Sequence, residues 1–406
     1  MSALTDASVD TGDAPAAAPR PTVHLRGLDG IRGLAALFVV VHHCFLSSYA
    51  GYPRMTGPWW AGWMIYGHLA VVVFIVLSGF SLALAPARRG WRLGGLGRYA
   101  HRRAWRILSA YWPALVLSVV MAYLFVPQPG EGLPNARSVV VYGLLLQDIT
   151  SAPSPNGAFW SIAVEAQLYV LLPLLVLIAR RWGLAVVLTA VTVPVLAIGV
   201  LAPSVRLVDL FTRFTPQLAI GFTAGVVAAG LVHDERWRRL PFLALSVAAA
   251  VPPLVTIVLE GSTWTVEHYF WVDLAVMPAI ALLLAAIAAG RARRLSGALD
   301  VRPLRSLGGF SYSLYLIHAP IVVAVAALVV VPRVGHGTSA LFWMLIIAVP
   351  VSLVASRLFA AVFDLPFQRH KSWSALMTAA KARLRWSRGA RYRTLEPVEK
   401  DGNSVT

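Results

Sequence analysis

The stretch Leu28–Phe45 places an aspartate, an arginine and two adjacent histidines on one predicted transmembrane helix. Arg32 and His43 are eleven positions apart, which puts them about 20° from a common helical face and about 16 Å apart along the axis. Asp29 lies one turn before Arg32 and is placed to pair with it. His42 points about 100° away from His43 and is not expected to share its role. A histidine at membrane depth is costly unless it lines a cavity, so we interpret His43 as functional. The alternative is a structural histidine bonded to a neighbouring helix carbonyl.

Two further apolar segments carry polar stripes at helical spacing. The first stripe consists of Ser161, Glu165 and Tyr169, and the second of Ser311, Tyr312, Tyr315 and His318. We place Glu165 about one turn inside the outer membrane edge, where a carboxylate must pair with a cation or stay protonated. Each stripe alone is also compatible with hydrogen bonds that only join helices. Together with the first helix, the two stripes predict the wall of a polar cavity.

The segment RRAWR places Arg103 and Arg106 three residues apart at the predicted cytosolic mouth of the third span. Residues at this spacing share a helical face. Two guanidinium groups so placed suit a phosphate-bearing ligand, because each binds phosphate in a fork geometry. The alternative is simple anchoring of the helix by positive charge on the inner side.

The composition is that of an integral membrane protein. Of 406 residues, 58% are hydrophobic and 13% charged, and the mean hydropathy is +0.69, whereas soluble proteins average about a quarter charged residues. The formal net charge of +17 does not indicate nucleic-acid binding, because the arginines form short clusters between apolar runs, as membrane topology requires. The expected surroundings are a lipid bilayer, with no nucleic acid as partner. The single cysteine, Cys44, cannot form an internal disulfide and suits packing better than catalysis.

Ten apolar runs are long enough to cross a bilayer of about 30 Å. They cover approximately 31–49, 66–85, 106–126, 160–179, 183–201, 211–231, 240–259, 271–289, 310–331 and 341–363. Arginines concentrate in alternate loops, which predicts that both termini are cytosolic. A shorter apolar run, Val139–Leu146, predicts a half-helix that dips in from the outer side. The predicted fold class is therefore all-α, a polytopic helical membrane protein with about ten transmembrane helices around a polar cavity.

The chain divides into three predicted regions. Residues 1–24 are small and polar and predict a disordered cytosolic tail. Residues 25–365 form the ten-helix membrane domain. Residues 366–406 are basic with interleaved apolar residues, which fits either a helix lying on the anionic inner leaflet or a disordered basic tail. No metal site is expected.

The sequence resembles the membrane-bound acyltransferase family 3 over nearly the whole hydrophobic portion, about residues 25 to 365. The resemblance is carried by an ordered set of segments. They are LDGIRGLAALFVVVHH, VVVFIVLSGFSL, RRAWR, and FWSIAVEAQLY followed much later by LGGFSYSLYLIH. The resemblance implies that residues 25–365 are an acyltransferase domain. It implies transfer of an acyl group, usually acetyl, from acyl-CoA to a hydroxyl of a sugar, a surface glycan or a glycosylated natural product such as a macrolide.

The resemblance also implies roles for particular residues. The family's histidine maps onto His43, its partner basic residue onto Arg32, and its later glutamate onto Glu165. The family's cytosolic arginine motif maps onto Arg103 and Arg106. Acyl-CoA enters as the donor substrate, and no tightly bound cofactor is implied. Many relatives add an extracytoplasmic hydrolase-like domain, and here we expect the membrane domain to complete the transfer alone or with a partner.

The predicted chemistry suits these residue types. A thioester is already activated, so the catalyst mainly has to deprotonate the attacking hydroxyl and stabilise the oxyanion, and histidine suits the role of base. The expected location is the plasma membrane of the cell, and specifically a bacterial inner membrane. Two alternatives stay open at this point. One is a transporter of a glycan or lipid-linked intermediate with the same polar stripes as its pathway, and the other is a non-catalytic sensor.

Overall fold

The computed structural model describes residues 25–55, 57–370 and 372–378. The predicted tail at 1–24 and most of the predicted basic tail at 366–406 lie outside these residues. The described residues form α-helices, short 3₁₀ segments and a π-helical segment, without a strand, which confirms the all-α class. The α-helices are α1 Leu28–Ser48, α2 His68–Arg88, α3 Leu96–Leu124, α4 Ala136–Gly143, α5 Trp160–Trp182, α6 Leu184–Leu201, α7 Arg206–Asp209, α8 Gln217–His233, α9 Phe242–Glu267, α10 Tyr269–Ala288, α11 Arg293–Leu299, α12 Arg302–Gly309, α13 Ser311–Val325, α14 Val331–Val334, α15 Thr338–Phe363 and α16 Leu365–Arg369.

Within the described ranges, nine helices are long and apolar enough to cross a membrane. A bent pair, Arg206–Phe214 and Gln217–His233, makes ten if it counts as one span. The predicted sixth span, 211–231, is therefore wrong as a straight helix, since its two parts meet at a bend of 51°. The break falls at Thr215, whose φ of 44° is left-handed, and at Pro216, which has no backbone N–H to continue a helix. The helix α8 therefore begins well inside the predicted span.

Most other spans also differ from their predicted bounds by a few residues, and the seventh ends at Glu267, eight residues beyond the predicted residue 259. The third begins ten residues before the predicted residue 106, because α3 includes the basic segment from Leu96 onward. In consequence Arg103 and Arg106 project from a formed helix rather than from a loop. The ninth span runs from Ser311 to Val334, with a π-helical stretch at Ala326–Val330 between α13 and α14.

The helices α2 and α8 pack backbone to backbone near the cavity described below. A Cβ atom on Gly79 would lie 2.0 Å from the carbonyl oxygen of Phe222, and one on Gly225 would lie 2.1 Å from that of Val76. Small residues at such a crossing let two membrane helices pack backbone to backbone, which replaces the hydrophobic driving force that lipid cannot supply. The two glycines therefore fix the position of α2, the helix that carries Ser78 and Ser81.

The segment before α5 is held inside the bundle rather than at its surface. The predicted half-helix is present as α4, although it covers Ala136–Gly143 rather than 139–146. The buried side chain of Asn156 donates hydrogen bonds to the hydroxyl of Ser118 (3.0 Å) and to the carbonyl of Leu316 (2.8 Å). Because Ser118 and Leu316 lie inside α3 and α13, α5 starts among these helices and not outside them.

Candidate active site

A cavity of about 360 Å³ lies between α1, α2, α3, α5, α12 and α13. Its aliphatic lining is interrupted by charged and hydroxyl-bearing side chains from every one of these helices except α12. They are Asp29, Arg32, Ser78, Ser81, Arg103, Arg106, Ser161, Glu165, Tyr169, Ser311, Tyr312 and Tyr315, with Gln368 from α16. The three helices in which the sequence predicts polar stripes therefore meet at one cavity.

Arg32 is held in place from two sides. Its guanidinium donates hydrogen bonds to Asp29 (2.9 Å), one turn earlier in α1, and to the hydroxyl of Ser81 in α2 (2.9 Å). The side chains of Arg32 and Asp29 remain 32% and 29% exposed, so the pair faces the cavity instead of being sealed off. The backbone of α12 lies directly against this turn, because a Cβ on Gly308 would come within 2.0 Å of the Asp29 carbonyl oxygen.

Glu165 faces the cavity from α5. It accepts hydrogen bonds from the hydroxyls of Ser78 (2.7 Å) and Tyr169. It lines the same cavity as Arg103 and Arg106. Two hydroxyl donors therefore provide the polar surroundings that a carboxylate at this depth needs.

The two arginines of the RRAWR segment have different surroundings. Arg106 forms an ion pair with Asp364, whose side chain is fully buried, and its guanidinium carbon lies 5.2 Å from the centre of the Tyr312 ring. The guanidinium carbon of Arg103 lies 6.0 Å from the Tyr169 ring centre. Its Nε is buried and finds no hydrogen-bond partner in the described part of the chain. A cation beside a cavity with an unused donor is suited to bind an anion.

A hydrogen bond between α5 and α13 closes the far wall of the cavity. The hydroxyl oxygens of Ser161 and Tyr315 are 2.6 Å apart, and both residues are buried. The Tyr315 ring is in turn 5.8 Å, centre to centre, from that of His318. The polar stripe of α5 therefore continues through Tyr315 to the histidine on the next turn of α13.

His43 and His318 contact each other, with ring centres 4.8 Å apart. Nδ1 of His43 is 2.9 Å from the Val39 carbonyl oxygen, and Nδ1 of His318 is 2.8 Å from that of Tyr315. Since a carbonyl oxygen only accepts, both rings carry their proton on Nδ1. Nε2 of His318 faces Nδ1 of His43 at 3.4 Å, and Nε2 of His43 is left with a lone pair. The residues that line the cavity include Tyr315 but neither of these two histidines.

His42 has a different environment from its neighbour. Its side chain is 7% exposed, and Nδ1 is 2.9 Å from the carbonyl oxygen of Met64 in the segment before α2. It also fills the space left by Gly67, where a Cβ atom would lie 2.3 Å from the His42 side chain. The two adjacent histidines therefore face different parts of the molecule, as their angular separation on α1 predicts.

The sequence predicts no role for three residues that the structure brings to the site. Ser78 and Ser81 of α2 bind Glu165 and Arg32, and the signal for them was two hydroxyls three residues apart in an otherwise apolar helix. Asp364 also went unassigned, although it pairs with Arg106 and accepts a hydrogen bond from Ser313 (3.1 Å). An acidic residue at the end of an apolar span was its only signal.

Comparison with known proteins agrees with this architecture. A family model described as "Acyltransferase domain" matches residues 25–361. The chain is 22% identical over 377 residues to the peptidoglycan O-acetyltransferase OatA of Listeria monocytogenes, a match that covers 86% of this chain and 56% of the relative. It is 25% identical over 365 residues to the putative peptidoglycan O-acetyltransferase YrhL of Bacillus subtilis, with 82% and 53% covered. It is 23% identical over 334 residues to the O-acetyltransferase OatA of Staphylococcus aureus, with 74% and 51% covered.

The family match spans most of the chain, and its residues are those that build the helical bundle and the cavity. This protein is a multi-pass membrane protein that belongs to the acyltransferase family 3. The chain spans about half the length of the curated relatives it matches. No solved structure matched it.

Proposed function

We propose that this chain is an O-acyltransferase that moves an acyl group, with acetyl as the first choice, from acyl-CoA to a hydroxyl of a glycan. The observation that carries the proposal is a row of polar groups that leads from the cavity to a histidine pair. Arg103, Glu165 and the hydrogen-bonded Ser161 and Tyr315 line the cavity. The Tyr315 ring contacts that of His318, which contacts His43 outside the cavity lining. Such a row combines an anion site with a base, which are the two elements that this transfer needs.

The donor end of the path is assigned to the arginines. The phosphates of acyl-CoA belong in the cytosol, where the loop charges predict Arg103 to lie. Arg103 binds a phosphate through its guanidinium, which lines the cavity, whereas Arg106 already has a carboxylate partner in Asp364. Arg106 therefore supports the site by holding α3 against the end of α15. About 16 Å of rise along α1 separates Arg32 from His43, so the acyl chain has to extend from the cavity towards the histidines.

The transfer step uses His43 as general base. Its Nε2 lone pair takes the proton of the acceptor hydroxyl while that oxygen attacks the thioester carbonyl carbon. The carbon–sulfur bond then breaks, the CoA thiolate leaves, and the proton passes from His43 to the thiolate. One ester and one thiol are formed, and no other reactant is consumed. His318 steadies the His43 ring through the contact between its Nε2 and Nδ1 of His43.

The acceptor class is proposed from the relatives. Two of the three relatives described above are named as peptidoglycan O-acetyltransferases, one of them as putative. A carbohydrate hydroxyl is therefore the first acceptor to test for this chain, with the glycan strand of a cell wall as the leading substrate.

The test is consumption of acetyl-CoA by the purified full-length protein, with and without peptidoglycan fragments. We expect release of CoA that depends on both the fragments and His43, together with an added acetyl mass on the glycan by mass spectrometry. In cells, the same acetyl mass should disappear from the glycans when the gene is deleted. A transporter or a sensor would release no CoA in either the parent protein or the His43→Ala variant, and that result would overturn the proposal.

A further inference from the structure

A second polar cluster lies at the end of the bundle opposite the arginines. Four helices begin there, with His68 as the first residue of α2, Trp160 of α5, Gln217 of α8 and Tyr269 of α10. Two of these side chains, His68 and Gln217, bond Asp273, whose carboxylate is fully buried. The positive ends of helix dipoles favour a negative charge at such a point. The break at Thr215 is what allows α8 to begin beside this carboxylate.

The carboxylate of Asp273 orients one imidazole. Nε2 of His68 is 2.9 and 3.0 Å from its two oxygens, and Nε2 of Gln217 is 3.2 Å from Oδ2. Because Nε2 of His68 donates to the carboxylate, its Nδ1 is the edge left for another partner. The structure gives Nδ1 no hydrogen-bond partner within 25–55, 57–370 and 372–378. The His68 side chain is 15% exposed, so this edge is not sealed off.

Aromatic rings frame the dyad. His68 stacks on Tyr269 with ring centres 4.1 Å apart and lies parallel to Trp160 at 5.8 Å. The hydroxyl of Tyr269 is 3.2 Å from that of Tyr52, which is 39% exposed and lies on the loop after α1. Burial raises the pKa of Tyr52, partly offset by its hydrogen bond with Tyr269, so the phenol stays protonated and able to donate. The loop is fixed to α9 by a hydrogen bond from Ser262 to the Pro53 carbonyl (3.0 Å).

The cluster leads to the histidines of the proposed active site. The ring of Tyr52 contacts that of His42 at 6.4 Å, and His42 contacts His43 at 5.3 Å. On the other side, Trp160 is followed by Ser161, which bonds Tyr315. A ligand that occupies the Tyr52–His68 cluster therefore lies one ring, that of His42, away from His43 and on the side away from Arg103.

We infer that Tyr52, His68, Tyr269 and Asp273 form the binding site for a sugar ring of the acceptor glycan. This inference rests on the proposed function and deepens it, because it assigns the acceptor to the end opposite the acyl donor. Aromatic side chains present flat apolar faces to the C–H surface of a sugar, while the phenol hydroxyls and the free imidazole edge bond its hydroxyls. His68 is a positioning residue in this scheme, since His43 remains the base.

The aromatic residues around the cluster also have an explanation that involves no ligand. The experiment must distinguish that explanation from sugar binding. Trp59, Trp60 and Trp63, which lie in the segment between α1 and α2, are exposed. Tryptophans collect at membrane interfaces without binding any ligand. An interfacial belt of this kind predicts no saturable binding of a sugar. It also gives no reason for a buried carboxylate to orient His68.

The experiment is equilibrium binding of chitotetraose, a β-1,4-linked N-acetylglucosamine oligosaccharide, to the full-length protein in detergent, followed by tryptophan fluorescence without any acyl donor. The variants are His68→Gln and Tyr52→Phe. Glutamine can still donate to Asp273, so the buried carboxylate keeps its partner and the fold is protected. We expect saturable binding by the parent and about tenfold weaker binding by His68→Gln, as for one lost hydrogen bond to a ligand. Tyr52→Phe should weaken binding in the same direction.

Two control variants sharpen the result. His268→Gln changes a histidine at the same end, one that stacks on Trp264 at 4.3 Å and bonds only the Trp264 carbonyl among the described residues. Arg103→Ala changes the opposite end. Both should bind chitotetraose as the parent does.

Absent or unsaturable binding by the parent, or unchanged binding by His68→Gln, would overturn the inference. If the parent binds chitotetraose through His68 but releases no CoA from acetyl-CoA, the sugar site stands and the proposed function fails. If the parent releases CoA in the presence of glycan but His68→Gln binds chitotetraose as tightly as the parent does, the proposed function stands and the sugar site fails.

Discussion

The arginine-rich end of the bundle and the opposite end hold their charged groups in different ways. At the arginine-rich end, the side chains of Arg32 and Arg106 are 32% and 38% exposed, and Nε of Arg103 is without a partner among the described residues. At the opposite end, a single carboxylate, Asp273, is fully buried and enclosed by His68 and Gln217. One end is a cavity lined by three arginines and two carboxylates, and the other is an aromatic cluster around one buried carboxylate.

This difference suits two ligands of different chemistry. Phosphates are anionic and require cations with free donors, whereas a sugar is neutral and is held by aromatic faces and hydroxyl bonds. The His43–His318 pair lies between the two ends, within ring contact of Tyr315 from one side and of His42 from the other. Two substrates that enter from opposite ends would meet at these histidines, and the following predictions test that arrangement.

The largest effect is expected at the point where the two ends meet. His43→Ala should lower the rate of acyl transfer by about 10²–10⁴-fold, the usual cost of losing a general base. His42→Ala is the matched control, because His42 bonds the Met64 carbonyl and packs on Gly67, and its loss should cost far less turnover. The measurement is CoA release by purified protein, with insertion and folding checked by size-exclusion chromatography. An indispensable His42 beside a dispensable His43 would show that the wrong face of α1 has been assigned.

Arg106→Ala should act on folding more than on the donor. Removing the guanidinium leaves Asp364 buried without its cation, which typically destabilises a protein by about 3 kcal/mol. Thermal unfolding in detergent measures this loss. The double variant Arg106→Ala with Asp364→Asn should recover much of it, since no buried charge remains unpaired. If the single variant unfolds at the parent's temperature, the ion pair with Asp364 does not contribute to stability and Arg106 is free to serve the donor.

The contrast between Arg103 and Arg106 also marks how far the sequence can predict this site. Helical periodicity places Arg103 with Arg106 on one face, and Ser161 with Glu165 and Tyr169 on another, because neighbours within a helix depend on local spacing alone. The partner of Arg106 is 258 residues away in the chain. No local pattern identifies Asp364 as that partner, so an arginine already paired cannot be told from one that is free.

Long-range packing also accounts for what the sequence does not predict. The position of α5 depends on Asn156, which ties the preceding segment to the Leu316 carbonyl, 160 residues later. The His68–Asp273 dyad joins residues 205 positions apart. The apolar pattern predicts most spans to within a few residues, because hydrophobic length alone decides whether a helix crosses the bilayer. It does not predict the bend at Thr215, which interrupts an apolar run.

Arg103→Ala should change the donor requirement and leave the fold intact. The loss of one charge-assisted contact to a phosphate costs about tenfold or more in binding, so the acetyl-CoA concentration for half-maximal rate should rise by about that factor. The acceptor concentration for half-maximal rate should not change. The neighbouring exposed arginine serves as the control, since Arg102→Ala removes the same charge from a face of α3 about 100° away. Equal shifts in both variants would mean that Arg103 acts only through the net charge of the inner surface.

The smallest effect is expected at the hydrogen bond that joins the cavity to the histidine pair. Ser161→Ala removes the partner of the Tyr315 hydroxyl at 2.6 Å and leaves a buried phenol unsatisfied, at a net cost of about 1 kcal/mol. If Tyr315 holds His318 against His43, the rate of acyl transfer should fall about fivefold, while the half-maximal concentrations of donor and acceptor stay as they are. Ser352→Ala is the matched control, because that serine of α15 is also fully buried and its hydroxyl has no partner among the described residues. Its loss should change neither rate nor stability. An unchanged rate in Ser161→Ala would show that the two histidines keep their contact without help from α5.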